Sequence, residues 1–175
     1  MASASVVIGV DPGTQHTGYG VVTEQEGQPV ALGWGVISPR PSLALPDKLQ
    51  MIYTALQACL ATHHPDTLAV EELFFAKNVR SAVALAQARG VTLLAAAAGG
   101  LEVVAYSPLE IKQAVVGYGR ADKRQVQAMV QVLLNLRGPV PAEDAADALA
   151  IALCHLHGRR LRTALDRPLA SRTPP

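Results

Sequence analysis

Val6-Val7-Ile8-Gly9-Val10-Asp11-Pro12-Gly13-Thr14 is the stretch from which the fold can be read outward. Residues 6–10 are apolar and mostly β-branched, which predicts a buried strand. Asp11-Pro12-Gly13 then turns the chain, leaving an acid at the carboxyl end of that strand. Taken alone, the motif serves a plain turn as well as a chemical site, because Asp caps turns, Pro sets their first dihedral and Gly supplies positive φ. Beyond it, residues 18–23 and 30–37 predict two more strands, with Glu26-Gly27-Gln28-Pro29 as the turn between them. The first third of the chain is thus an antiparallel meander.

The pattern then changes period. After the loop Pro39-Arg40-Pro41, the spacing of Leu49, Ile52, Tyr53, Leu56 and Leu60 predicts a helix that His63-His64-Pro65-Asp66 stops. A short buried strand follows at residues 67–71. Residues 78–98 are Ala-rich and apolar on nearly every side, which predicts a helix packed on two faces, either inside the domain or between subunits. Gly99-Gly100 ends it. Residues 102–106 predict a fifth strand, and residues 108–116, 122–136 and 141–157 three more helices. Three strands in meander followed by strands alternating with helices predict an α/β domain, a mixed five-stranded sheet flanked by helices, over residues 1–157. Residues 158–175 carry five arginines against Asp166, end in Pro-Pro and read as a flexible basic tail.

Composition narrows the function classes. A chain of 175 residues, half of them hydrophobic, can bury one core without disulfides or a structural metal. The two cysteines, Cys59 and Cys154, suggest neither a disulfide framework nor a zinc site. No uninterrupted apolar run of about 18 residues occurs, and the first residues lack the charged segment of a secretory signal, so a soluble cytoplasmic protein is expected. The net charge of +1 conceals a division. Residues 1–76 hold two Lys/Arg against seven Asp/Glu, whereas residues 77–137 hold eight against three. The middle of the chain is therefore a basic surface beside an acidic one.

Two further acidic segments bear on Asp11. Glu71-Glu72 ends the apolar Leu68-Ala69-Val70, where charge is costly unless solvated or paired. If the first and fourth strands are neighbours, Asp11 and Glu71 stand side by side at the carboxyl edge, where open α/β sheets bind ligands. Asp144 and Asp147, three apart at the start of the last helix, share one face among small alanines. Acids near a helix N-terminus are also explained by the helix dipole, and Glu71 by a solvated strand end. Together, however, the four make an oxygen-only cluster suited to Mg²⁺ or Mn²⁺ rather than zinc. Two such ions about 3.5–4 Å apart would serve phosphodiester hydrolysis without a side-chain nucleophile.

The chain resembles the RuvC Holliday-junction resolvases over residues 6–157. The resemblance is carried by Gly9-Val10-Asp11-Pro12-Gly13 with Thr17-Gly18-Tyr19-Gly20, by Val70-Glu71-Glu72-Leu73-Phe74-Phe75-Ala76-Lys77-Asn78, and by Gln87-Ala88-Arg89-Gly90. Val115-Val116-Gly117-Tyr118-Gly119 and residues 142–152 complete it. The resemblance implies a ribonuclease H-like fold, a homodimer, paired nicks across a four-way DNA junction, and metal binding by Asp11, Glu71, Asp144 and Asp147. It further implies that Phe74 contacts bases at the junction centre, and that Lys112 and Lys123 lie near the scissile phosphate. With Lys77, Arg80, Arg89, Arg120 and Arg124 they form an expected phosphate-tracking surface. The plainer alternative for Phe74 is a core residue, for each base a solvated surface charge, and for Arg89 an interface contact. A RuvA–RuvB branch-migration complex is the partner the resemblance suggests, and the helix over residues 78–98 is the candidate dimer interface. The five histidines receive no role. The Asp-Pro-Gly-Thr turn is also similar to that of actin-like ATPases and sugar kinases, whose second phosphate loop and second lobe this chain lacks the length to supply.

Overall fold

The computed structural model describes residues 5–72, 79–138 and 142–165. Five strands form one sheet: β1 (Val6–Asp11), β2 (Thr17–Gln25), β3 (Gln28–Ile37), β4 (Thr67–Glu71) and β5 (Glu102–Tyr106). Their spatial order is β3-β2-β1-β4-β5. The three meander strands pair antiparallel, and β1–β4 and β4–β5 pair parallel. This is the mixed five-stranded sheet expected from the sequence. The helices are α1 (Leu45–His63), α2 (Val79–Ala98), α3 (Pro108–Val116), α4 (Lys123–Leu133) and α5 (Glu143–Leu165).

Alternation along β1 sorts the core into two layers. Val7 joins Val22, Ala69 and the helices α3, α4 and α5 on one face, while Ile8 and Val10 join Ile52, Leu56 and Leu68 under α1 and α2 on the other. β1 lies in the centre with helices over both faces, so nearly every side chain along it is buried. At about 1.5–3 kcal/mol for each fully buried aliphatic side chain, this strand is a main source of stability.

Differences from the sequence reading have local causes. The hairpin turn is two residues, Glu26 (φ 49°) and Gly27 (φ 77°), both left-handed as a tight hairpin requires. Gln28 and Pro29 belong to β3, where an edge strand tolerates a residue without N–H. Helix α1 starts at Leu45 because Pro46 fits a first helical turn. Helix α5 runs on to Leu165, through the first eight residues read as tail. Gly158 weakens a helix by about 1 kcal/mol without ending it, and no Pro follows before Pro168.

Helix α2 departs most. Only Ala88, Thr92, Ala95 and Ala96 are buried, on the side packed toward α1 and β5. Val79 is 77% exposed, Val83 50% and Leu94 59%, so among the described residues α2 is packed on one face, and packing of both faces inside the domain, one of the two alternatives expected, is not found. By length and composition α2 could also cross a bilayer, although Arg80 and Arg89 interrupt its apolar run.

Candidate active site

The parallel register of β1 and β4, with Val10 opposite Val70, brings Asp11 and Glu71 together at the carboxyl edge of the sheet. The turn after Asp11 is closed by Thr17, whose hydroxyl donates to the Gly13 carbonyl at 2.7 Å and accepts the Gly13 N–H at 3.2 Å. Turn closure therefore runs through Thr17, and the Asp11 carboxylate is left to the cleft. On β4, Arg89 reaches across from α2 and donates through Nη1 to the Glu71 carbonyl at 2.5 Å. That bond fixes the strand end carrying the second acid, and gives Arg89 an intrachain role that the sequence reading did not assign.

The third acid arrives because α5 lies unusually close to the sheet. A Cβ at Gly9 would stand 2.0 Å from the Ala148 carbonyl oxygen, and one at Gly18 would stand 1.9 Å from that of Asp144. Glycine at these positions, facing small residues on α5, sets the approach that carries the first turn of α5 to the strand ends. Asp11, Glu71 and Asp147 line one cleft of about 250 Å³, together with Lys112 on α3 and Lys123 on α4. Ile111, Val126 and Ile151 form its apolar floor and walls. Asp144 is not among the lining residues, although its charge is felt by both Asp11 and Asp147.

The cleft's electrostatics follow from that crowding. Burial, and then the charges of Asp147, Glu71 and Asp144, push the Asp11 carboxyl up from 3.8 to about 7. Glu71 is raised by burial and by Asp147, with Lys123 and Lys112 opposing. Asp147 is raised by burial, with Lys123 pulling it down. The Lys123 ammonium pairs with both Glu143 and Asp147, the latter at 3.3 Å, and its pKa is raised chiefly by the bond to Glu143. Helix capping places both lysines. Ser107 and Glu110 form a reciprocal capping box ahead of Lys112, and Asp122 and Gln125 form another that starts α4 at Lys123.

The donor set fits a hard divalent cation in its chemistry: oxygens only, with more negative charge than Lys112 and Lys123 offset. Among the described residues, no three His, Cys, Asp or Glu side chains converge tightly enough to hold an ion as they stand, and Lys123 engages Asp147 instead. Asp147 would have to exchange that partner for the ion. Of the expected DNA-contacting residues, Lys112 and Lys123 line the cleft, while Arg80, Arg120 and Arg124 are exposed and do not line it. Phe74 and Lys77 lie outside the described residues. Sequence reasoning missed Glu143, whose pairing with Lys123 spans 20 positions, and His155, buried with Nδ1 2.9 Å from the Tyr106 hydroxyl.

A family profile described as crossover junction endodeoxyribonuclease RuvC matches residues 7–155. The chain is 49% identical to the crossover junction endodeoxyribonuclease RuvC of Syntrophomonas wolfei over 91% of its length and 93% of that protein. It is 50% identical to that of Heliobacterium modesticaldum over 87% of its length and 94% of that protein. Among solved structures it is similar to T. thermophilus RuvC in complex with a Holliday junction substrate, with a TM-score of 0.86 and 36% identity over 91% of this chain and 97% of that one. The yeast mitochondrial Holliday junction resolvase Ydc2, at 12% identity and a TM-score of 0.68, shares the fold.

Proposed function

Since the chain belongs to the RuvC family of crossover junction endodeoxyribonucleases, we propose that the carboxylate cleft is its cutting site and that it resolves four-way DNA junctions there by paired nicks. The observation that supports placing the reaction in this cleft is the state of Asp11. Burial, and then three other acids drawn from two further elements, push its carboxyl up to about 7. Such crowding is unfavourable in the free protein and becomes favourable when a cation joins the acids.

Divalent metal dependence goes with the family, and Asp11, Glu71, Asp144 and Asp147 are the residues that would hold Mg²⁺ or Mn²⁺, two per site. When bound, such ions supply an activated water and stabilise the leaving oxygen. The chain's own groups do the rest. Lys112 and Lys123 face the cleft from α3 and α4 and draw the DNA phosphate toward the acids, Lys123 exchanging Asp147 for a phosphate oxygen. Ile111, Val126 and Ile151 keep bulk water from the floor, which strengthens each charge interaction above it.

Two matched nicks call for two sites related by a twofold axis, and hence for a homodimer. The bare face of α2 is the surface that fits a second copy. Val79, Val83, Ala86, Gly90, Leu94 and Ala97 are all exposed and recur at intervals of three or four, one stripe along the helix. Gly90 supports this directly. Among the described residues a Cβ there would meet nothing within 4 Å, so no described contact accounts for a mid-helix glycine that weakens α2 by about 0.5–1 kcal/mol. Close approach of a second α2 does account for it. A RuvA–RuvB branch-migration complex is the assembly in which such a dimer would work.

The test is to incubate the protein with an end-labelled synthetic four-way junction and a matched linear duplex, with Mg²⁺, Mn²⁺ or EDTA, and map the products. Symmetric nicks confined to the junction and abolished by EDTA are expected. Binding without metal-dependent cleavage would leave only a DNA-binding module.

A further inference from the structure

The acidic segment over residues 1–76 contains just two Lys/Arg residues, Arg40 and Lys48, against seven carboxylates. The fold brings both to one place. Arg40 and Lys48 line a second cleft of about 490 Å³ with Gln15, His16, Ser38 and the flanking Pro39 and Pro41, and no carboxylate lines it. Neither base is in an ion pair among the described residues. The cleft is closed across two loops by His16, whose Nδ1 lies 3.0 Å from the Ser38 hydroxyl. Arg40 is held on a turn, its carbonyl accepting the Leu43 N–H at 3.1 Å, with a proline on either side restricting the backbone. Two cations, an imidazole, a hydroxyl and an amide on a restrained backbone make a set of donors without a counter-charge.

Its position relates it to the acidic cleft. His16 immediately precedes β2 and Ser38 immediately follows β3, at the sheet edge where β1 delivers Asp11. The turn from Asp11 to His16 runs from one cleft to the other. β3 lies two strands from β1, a separation of about 10 Å. On the reading that the acids cut DNA, we propose that this second cleft holds a backbone phosphate of the strand being cut, a short way along that strand from the scissile position. Arg40 and Lys48 are its charge partners, with His16, Gln15 and Ser38 as hydrogen-bonding groups. The strand is then gripped on both sides of the acids, by Lys112 and Lys123 on one and by this cleft on the other. A sheet edge that is otherwise acidic thereby acquires a path for a polyanion.

The contact is read by the salt dependence of binding. Wild type, Arg40→Gln/Lys48→Gln and the charge-preserving Arg40→Lys/Lys48→Arg are titrated with the labelled four-way junction in EDTA at several salt concentrations, with a thermal melt for each variant. Loss of the one phosphate contact this cleft makes lowers the slope of log affinity against log salt by about 0.9 for duplex DNA. The double glutamine variant is expected to show that change and weaker binding, the charge-preserving variant neither. Arg137→Gln, an exposed cation elsewhere, is expected to leave the slope in place. A folded double glutamine variant with the wild-type slope overturns the proposal while leaving the cutting site intact. A wild type that neither binds nor nicks the junction removes the parent reading and this one with it.

Discussion

Helices α2 and α5 are both rich in alanine and both long, yet one is the most buried helix of the chain and the other leaves an apolar stripe in solvent. On α5, every residue from Ala148 to Leu156 is buried, against sheet glycines that admit its backbone. On α2, Val79, Val83 and Leu94 are half or more exposed, and a Cβ at Gly90 would meet nothing within 4 Å among the described residues. Small residues permit close approach in both helices, and what differs is whether the approaching surface lies in the same polypeptide. α5 uses it to deliver carboxylates to the strand ends, and α2 has it left over, the surface proposed above for a second copy. Arg89 connects the two roles, because α2 also secures the Glu71 strand end.

The largest effect that separates the two helices is on catalysis. Asp147→Asn on α5 keeps the side-chain shape and removes one charge from the acidic cleft. It is expected to reduce junction cleavage by roughly 10³-fold or more, the scale of losing a group that stabilises the transition state, with junction binding in EDTA kept. Single-turnover cleavage against a binding titration checks it, and near-normal cleavage would remove Asp147 from the site. Next is packing. Gly9→Ala places a Cβ against the Ala148 carbonyl and forces α5 outward, with an expected loss of about 1–3 kcal/mol. The melting temperature should then drop by roughly 2–4 °C per kcal/mol. An unchanged melt would mean that α5 is not held to the sheet as closely as described.

On α2 the expected effect is on assembly. Leu94→Glu puts a charge on the bare stripe, where the monomer tolerates it because the position is already exposed. Two copies facing each other would desolvate or repel that charge, and dimer dissociation should be favoured by about tenfold to a hundredfold, or about 1.4–2.7 kcal/mol. Sedimentation equilibrium reads this directly. A variant that dimerises like wild type would move the interface elsewhere on the molecule.

How much of this was legible in the sequence depends on how far apart the cooperating residues lie. β4, β5 and α3 have the expected bounds because each is bracketed by strong local signals, such as Ser107-Pro108 opening α3 and Gly117 closing it. Asp11, Glu71 and Asp147 were found because each acid ends or begins an apolar element, a mismatch visible within a few residues. The pairing of Lys123 with Glu143 was not visible, since nothing local relates the start of one helix to the start of the next. Nor could spacing alone tell Asp144 from Asp147, which share a helical face although only Asp147 lines the cleft. The two-sided burial of α2 was read from composition, and composition does not say which surface belongs to a single chain.

A smaller, pH-dependent effect tests the α5 end of the comparison. Asp11 is pushed up to about 7 in the folded protein against an ordinary value of 3.8, so between those values the folded state holds the extra proton. Without divalent ions, stability should therefore fall as pH rises from about 4 to 7, and level off beyond. Asp11→Asn should flatten that slope, and Mn²⁺ or Mg²⁺ at pH 8 should raise the wild-type melting temperature by neutralising the cluster. Melts across pH with and without metal check both. A wild type whose stability climbs steadily over that range would show that the acids do not crowd one another in solution.

The smallest effect is the most discriminating, because its sign reverses between monomer and dimer. Gly90→Ala adds a methyl where the chain leaves open space and improves helix propensity, so under dilute conditions it should raise monomer stability by about 0.5–1 kcal/mol. If two α2 helices meet at Gly90, the same methyl separates their backbones and weakens the dimer. Melts at low and high protein concentration should then cross, the variant being the more stable when dilute and the less stable when concentrated. A variant that is more stable at every concentration would leave Gly90 outside the interface, and the parallel between α2 and α5 would end with their composition.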